Sequence, residues 1–409
     1  MMKYIVLVPD GVADHAYEEL QGKTPLEASR IPNLNFFAKN GCVGLAKTVP
    51  DSMEPGSDVG NLSILGYNSK EYYTGRAPIE AASMGIKLKE GEVAFRMNFV
   101  TEADGKLVDY SAGHISTQES KVLVDYLSKK LSNDIVRFYP GVSYRHIAVI
   151  KDRLGRQGLS ASCDPPHNIM GQNINDHWPT GPGDAYLKKL MLDARLLLQD
   201  HEINHVRLDL KENPANMIWF WGQGVTPQLE SFHERFGLKG SLISAVDLLR
   251  GIANLTGLEI IEVPGITGYL DTNYQGKARY GLDSLKQKDF IFIHVEATDE
   301  AGHEGNLKGK IQAVEDFDYH VAGAVKKYCE ENPDTRVLIV PDHPTSCKTR
   351  THMRGAVPFI MFGKGIEPNG IESYNEVQAQ ASDMRFDDGY KMMPYLVQNQ
   401  TLGKTKKRK

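Results

Sequence analysis

Short apolar runs rich in β-branched residues recur along the chain: KYIVLVP at 3–9, DFIFIHVEA at 289–297, TRVLIVP at 335–341 and VPFIMFG at 357–363. Between them lie stretches with helical spacing. The clearest is KGKIQAVEDFDYHVAGAVKKYCEEN, in which Ile311, Val314, Phe317, Val321 and Val325 recur every three to four positions. Apolar strands alternating with such helices predict an α/β fold whose sheet is mainly parallel and covered on both faces.

From about residue 84 to 256 the pattern changes. Strands there alternate between apolar and polar positions, and the helices carry more charge, as in STQESKVLVDYLSKKL and AYLKKLMLDARLLLQDHEI. A loop-like DPPHNIMGQNINDHWPTGPGD separates the two. The stretch 84–256 is therefore predicted to be an α+β domain inserted into the first, leaving 1–83 and 257–409 as the core.

Composition narrows the function classes. A chain of 409 residues with 41% apolar content exceeds one ordinary compact core and has enough apolar surface for two. The formal charge of −5 comes from interspersed acids and bases, so no bulk field argues for nucleic acid, and a small anionic substrate needs a local basic pocket. Cys42, Cys163, Cys329 and Cys347 show no CxxC spacing, which fits a reduced, cytoplasmic setting. The apolar run in MMKYIVLVPDGV is too short for a signal segment, and no later run reaches about 18 apolar residues, so no membrane association is expected. The KTKKRK tail reads as a solvated end, and the sequence specifies no oligomeric state.

Three of the four strands run into an aspartate just past their C-terminal end: Asp10, Asp299 and Asp342. In an open parallel sheet those ends share one edge, where ligands bind. Converging carboxylates repel one another and call for a cation. His303 follows Asp299 by four residues, His343 follows Asp342 directly, and His352 comes nine residues later. Any one of these histidines is ordinary alone, but three of 13 beside strand-end aspartates argue for a cluster. Six oxygen and nitrogen donors without a thiolate suit two divalent ions of the Mn, Mg, Co or Zn kind.

EPGSDVGNLSILGY at 54–67 supplies a nucleophile. Pro55-Gly56 breaks the chain and Ser57 opens a helix, where free N–H groups and the dipole favour a transferred phosphate. The plainer reading is a serine N-cap. PGSDVG does not satisfy G-x-S-x-G. GKT at 403–405 lacks the first glycine of a P-loop, Gln398 standing in its place, and there is no dinucleotide fingerprint.

Taken together, Asp10, Ser57, Asp299, His303, Asp342, His343 and His352 resemble the alkaline phosphatase superfamily of two-metal phosphoryl-transfer enzymes. Within it the chain is most similar to the cofactor-independent phosphoglycerate mutases of archaeal type. The likeness runs along nearly the whole chain, through VPDGVAD, EPGSDVGNLSILGY, GRAPIEAA, DYSAGHIS, GVSYRH, GYLDTNYQGKA, EATDEAGHEGN and PDHPTSCKTRTHMRGAVPF. The resemblance implies an alkaline-phosphatase-like core. It also implies that Asp10, Ser57, Asp342 and His343 hold one ion, with Ser57 the nucleophile, while Asp299, His303 and His352 hold the other.

The activity so implied is glycolytic interconversion of 3-phosphoglycerate and 2-phosphoglycerate through a phosphoserine, independent of 2,3-bisphosphoglycerate. The inserted domain is then expected to bind substrate and close as a lid that excludes water. His114 is the candidate proton donor or acceptor, Arg145 the carboxylate or phosphate clamp, and Lys277 the balance to phosphate charge; His167 and Arg76 stand behind them. The competing readings are phosphoryl transfer to homoserine, a metal-dependent phosphatase, and a binding protein with structural metals.

Overall fold

The computed structural model describes residues 2–152 and 160–398, so GKT at 403–405 and the basic tail lie outside the described residues. The chain divides into two compact units. One takes the residues up to Tyr73 and from Gln228 onward, and the other is Thr74–Pro227.

The first unit is built on an eight-stranded sheet. Strand Lys3–Pro9 lies inside it between Phe290–Val295 and Thr335–Ile339, parallel to both. Ile5, Val6, Ile291, Phe292, Val337 and Leu338 are all fully buried, so both faces of these strands are covered, as unbroken apolar runs require. Leu34, Phe37, Val314, Phe317 and Val321 cover one face, packing against Ile5, Leu7 and Ile291. The helical stretch of the sequence becomes Leu307–Asp316, a π-helical Phe317–Ala322 and Gly323–Glu331.

Gly240–Ile243 extends the sheet parallel to Phe290–Val295. On the other side Val357–Gly363 runs antiparallel to Thr335–Ile339, and Cys42–Ala46 antiparallel to it in turn. Apolar content marks a buried strand but carries no direction, which is why this antiparallel flank is invisible in the sequence. In the parallel centre Pro9 lies opposite Val295 and Leu7 opposite Ile339. The three strands therefore finish level, and their C-terminal edge carries the aspartates.

The second unit has a five-stranded sheet. Glu92–Ala103 pairs antiparallel with Arg145–Lys151 and with Met217–Gly224, Val136–Val142 with Arg145–Lys151, and Lys106–Asp109 with the end of Glu92–Ala103. Phe95, Met97 and Phe99 alternate into a core shared with Leu123 and Leu127 of helix Thr117–Leu131 and Leu187 and Met191 of helix Asp184–Leu198. Ser116 and Glu119 form a capping box at the start of the first of these helices. On the other side Ala94, Ile147 and Val149 meet Ala77 and Ala81 of helix Arg76–Ser83.

This corrects the predicted 84–256 boundaries at both ends. Helix Arg76–Ser83 packs on the second sheet, whereas residues 228–256 return to the first unit through Gly240–Ile243. A four-residue strand has too few positions to show a period, so its sheet cannot be read locally. Among the described residues no helix is long and apolar enough to cross a membrane.

Candidate active site

Asp10 follows Pro9 directly, Asp342 lies three residues beyond Ile339, and Asp299 sits in the first turn of helix Ala297–Glu304. All three are buried, and Asp342 and His343 completely so. His343 Nε2 stands 3.2 Å from Ser57 Oγ, 3.6 Å from Asp10 Oδ1 and 3.6 Å from Asp342 Oδ2. Donors about 2.1 Å from a common tetrahedral centre lie about 3.4 Å from one another, so these spacings match an ion site. Asp10 Oδ1 is buried and has no hydrogen-bond partner among the described residues.

The second group adjoins the first. His303 Nε2 lies 3.2 Å from Asp299 Oδ2, His352 Nε2 lies 3.6 Å from Asp299 Oδ1, and the two Nε2 atoms are 2.9 Å apart. Donor atoms of Asp299, His343 and His352 also fall within 4.8 Å of one another, as do those of Asp10, His294 and Asp342.

The imidazoles are fixed from behind. His303 Nδ1 lies 3.0 Å from the Arg350 carbonyl and His352 Nδ1 lies 3.1 Å from the Pro55 carbonyl. A carbonyl only accepts, so each Nδ1 carries a proton, and each ring, once any proton on Nε2 is displaced, presents the Nε2 lone pair inward. Thr345 Oγ1 donates to Asp299 Oδ1 and accepts from His343 Nδ1 at 3.2 Å, which gives His343 the same tautomer. Three inward lone pairs among three carboxylates form a donor set that fits divalent cations.

The electrostatics agree. Burial, then the charges of Asp342 and Asp299, push the Asp10 carboxyl well above the usual carboxylate range. Hydrogen bonding to Asp299 raises His303 to about 9. Burial would raise Asp299 too, but the His303 and His352 hydrogen bonds outweigh it and hold that carboxyl well below its ordinary value. A divalent cation relieves the carboxylate repulsion.

Ser57 is the first residue of helix Ser57–Ile64, with extended Gly56 at the N-cap. Asn61, one turn on, donates to the Ser57 carbonyl and to Asp342 Oδ2, both at 2.8 Å. A Cβ on Gly60 would lie 2.5 Å from the Asp342 carbonyl, so only glycine lets this helix approach the strand end. Asp342 Oδ1 meanwhile accepts from the Gly11 and His343 N–H groups.

The remaining predicted residues fall in two places. In the second unit His114 and Arg145 are exposed and flank the Tyr144 ring, at 6.1 and 5.8 Å. Arg76 binds Glu80 at 2.9 Å, and His167 packs 5.2 Å from Trp221. Sequence reasoning missed Arg96, which is buried 2.8 Å from Glu80 and 4.0 Å over the Trp221 ring. Burial lowers Arg96 to about 10 despite Glu80, and the charges of Arg76 and Arg145 add to that fall. The four predicted residues and Arg96 thus belong to one basic, aromatic region.

Lys277 lies elsewhere, in the first unit. Instead of an open ammonium it is fully buried, 2.6 Å from Glu296 Oε2 and 2.8 Å from the His294 carbonyl. In the sequence His294 and Glu296 are simply part of an apolar run. The one available signal was a pair of ionisable residues inside an otherwise apolar run, FIFIHVEA.

The family model described as 2,3-bisphosphoglycerate-independent phosphoglycerate mutase matches residues 38–204. The chain is 47% identical over 385 residues to the 2,3-bisphosphoglycerate-independent phosphoglycerate mutase of Methanosarcina acetivorans, covering 94% of this chain and 96% of that one. It is also 47% identical over 401 residues to the probable enzyme of the same name in Geobacter sulfurreducens, covering 97% and 100%. Among solved structures, the cofactor-independent phosphoglycerate mutase from Thermoplasma acidophilum is similar with a TM-score of 0.66 and 27% identity, over 97% of this chain and 99% of that one. A Pyrococcus horikoshii protein is similar with a TM-score of 0.80 and 25% identity, over 97% and 96%.

Proposed function

This chain belongs to the 2,3-bisphosphoglycerate-independent phosphoglycerate mutase family, and on that premise we propose that it interconverts 3-phosphoglycerate and 2-phosphoglycerate through a phosphoserine at Ser57. The observation that carries the reading is the convergence of Ser57 Oγ, Asp10 Oδ1 and Asp342 Oδ2 on His343 Nε2 at 3.2–3.6 Å. Nothing in packing the core requires a serine hydroxyl there.

In this reading Asp10, Ser57, Asp342 and His343 hold one divalent ion, and Asp299, His303 and His352 the other. Bound ions of the Mn, Mg, Co or Zn kind supply Lewis acidity, lowering the hydroxyl pKa and neutralising charge on the phosphoryl oxygens. Ser57 Oγ gives up its proton as it attacks phosphorus in line, the phosphorus–glycerate oxygen bond breaks, and the departing oxygen takes up a proton, so the step is proton-neutral overall. The other glycerate hydroxyl then gives up its proton and attacks the phosphoserine, restoring Ser57. The N-terminal position of Ser57 on its helix favours the phosphoryl group throughout.

For the second unit we propose the substrate-binding role, with Arg145 clamping an anionic group bidentately and His114 exchanging the proton of the glycerate hydroxyl. Glu80, Arg76 and Arg96 support this basic region from beneath. A cytoplasmic place in glycolysis follows from the same reading. Peptide mass spectrometry after incubation with 3-phosphoglycerate tests it: phosphate on Ser57 is expected, and turnover with phosphate on another residue or on none overturns it.

A further inference from the structure

Behind Asp10 lies a buried chain of ionisable groups to which neither the sequence motifs nor the family comparison gives a joint role. His294, on strand Phe290–Val295, has Nε2 3.2 Å from Asp10 Oδ2 and Nδ1 3.0 Å from Glu296 Oε1. Glu296 Oε1 also accepts from the Ser244 hydroxyl at 2.8 Å and the Ala245 N–H at 3.0 Å, while Oε2 meets Lys277 Nζ at 2.6 Å. Lys277 closes the loop on the His294 carbonyl at 2.8 Å. His294 and Lys277 are fully buried, and Glu296 is 2% exposed.

A buried ion pair contributes little net stability compared with apolar residues of similar volume, so the core alone gives no reason for this one. Its direction does. Asp10 divides its oxygens: Oδ1 lies 3.6 Å from His343 Nε2 and Oδ2 lies 3.2 Å from His294 Nε2, and among the described residues neither Oδ1 nor His294 Nε2 has a hydrogen-bond partner. A group held against Oδ2 fixes the carboxylate plane and keeps the Oδ1 lone pair aimed at the ion, the usual work of residues placed behind a metal ligand. Glu296 fixes the His294 ring through Nδ1. Lys277 in turn neutralises Glu296, so no further net negative charge is added behind the three aspartates.

We infer that Lys277, Glu296 and His294 form a positioning relay that orients Asp10 toward the ion it shares with Ser57, Asp342 and His343. The inference rests on the two-ion reading above. Lys277 is then a positioning residue that acts through Glu296, rather than a cation that meets the phosphoryl group.

The test is Mn2+ binding to the metal-free full-length protein, followed by calorimetry and by the EPR signal of free Mn2+. His294→Leu is expected to weaken one ion about 10- to 100-fold and leave the other within about twofold. The weakened ion should be the one that Asp10→Asn also weakens. Glu296→Gln should weaken the same ion by less. Two unchanged affinities in a folded His294→Leu protein overturn the relay, and so does equal weakening of both ions. If His294→Leu does not fold, the isosteric Glu296→Gln carries the same test. Wild-type protein that binds no Mn2+ overturns the two-ion reading and the relay with it; wild-type protein that binds two ions, with variants that match it, overturns the relay alone.

Discussion

The Nε2 atoms of His303 and His352 stand 2.9 Å apart, although each ring has already committed its Nδ1–H to a backbone carbonyl. Two bare lone pairs at that distance need a proton or a metal ion beside them. Hydrogen bonding to Asp299 holds the His303 pKa at about 9, above the ordinary imidazole value of about 6.5. In metal-free protein the stability from this protonation is fully present below about pH 6.5 and is lost as pH rises through 9. The melting temperature of metal-free protein should fall across that window. Mn2+ must displace the proton, so its affinity should rise over the same range, and calorimetry in buffers of different ionisation enthalpy should detect proton release. Affinity independent of pH would contradict this.

In the proposed mechanism Ser57→Ala removes one of four ion donors together with the nucleophile. Turnover should fall by about four orders of magnitude or more. Asp10, Asp342 and His343 remain, so most metal binding should persist, and equilibrium dialysis with Mn2+ checks it.

Gly60→Ala tests the approach of the nucleophile helix. The new methyl would press on the Asp342 backbone carbonyl at 2.5 Å, which cannot swing aside as a side-chain end would. Denaturant unfolding should show a loss of about 1–3 kcal/mol, accompanied by lower kcat because Ser57 moves with the helix.

Arg145 and Arg96 lie in one basic region but should fail differently. Arg145 is exposed, so Arg145→Ala should leave the fold intact and raise KM about 10- to 100-fold, the equivalent of a charged hydrogen bond of about 1.5–3 kcal/mol. Arg96→Met should instead destabilise the protein by about 3 kcal/mol, because buried Glu80 loses one of its two arginine ion pairs, the 2.8 Å contact to Arg96. Steady-state kinetics beside urea melts separate the two.

Much of this arrangement was legible in the sequence because its signals are local. Four apolar runs marked central strands, and aspartates past three of them marked the working edge, since a parallel sheet brings such ends together. His303, His343 and His352 were found by their closeness in sequence to those acids. What stayed hidden depends on pairing between distant segments. The antiparallel direction of Val357–Gly363, the return of Gly240–Ile243 to the first sheet, and the burial of Arg96 under Trp221 leave no periodic trace. His294 and Glu296 stand in plain view within an apolar run, but their meaning comes only with Asp10 just past the neighbouring strand and Lys277 on helix Tyr274–Ser284.

The central claim is phosphoryl transfer between two oxygens of one glycerate through Ser57. Phosphorus NMR of the Mn2+-loaded protein with 3-phosphoglycerate and no bisphosphoglycerate tests it most directly. The account predicts a growing 2-phosphoglycerate resonance with little free phosphate. Accumulation of inorganic phosphate without 2-phosphoglycerate would contradict it, showing that water rather than glycerate takes the group from Ser57.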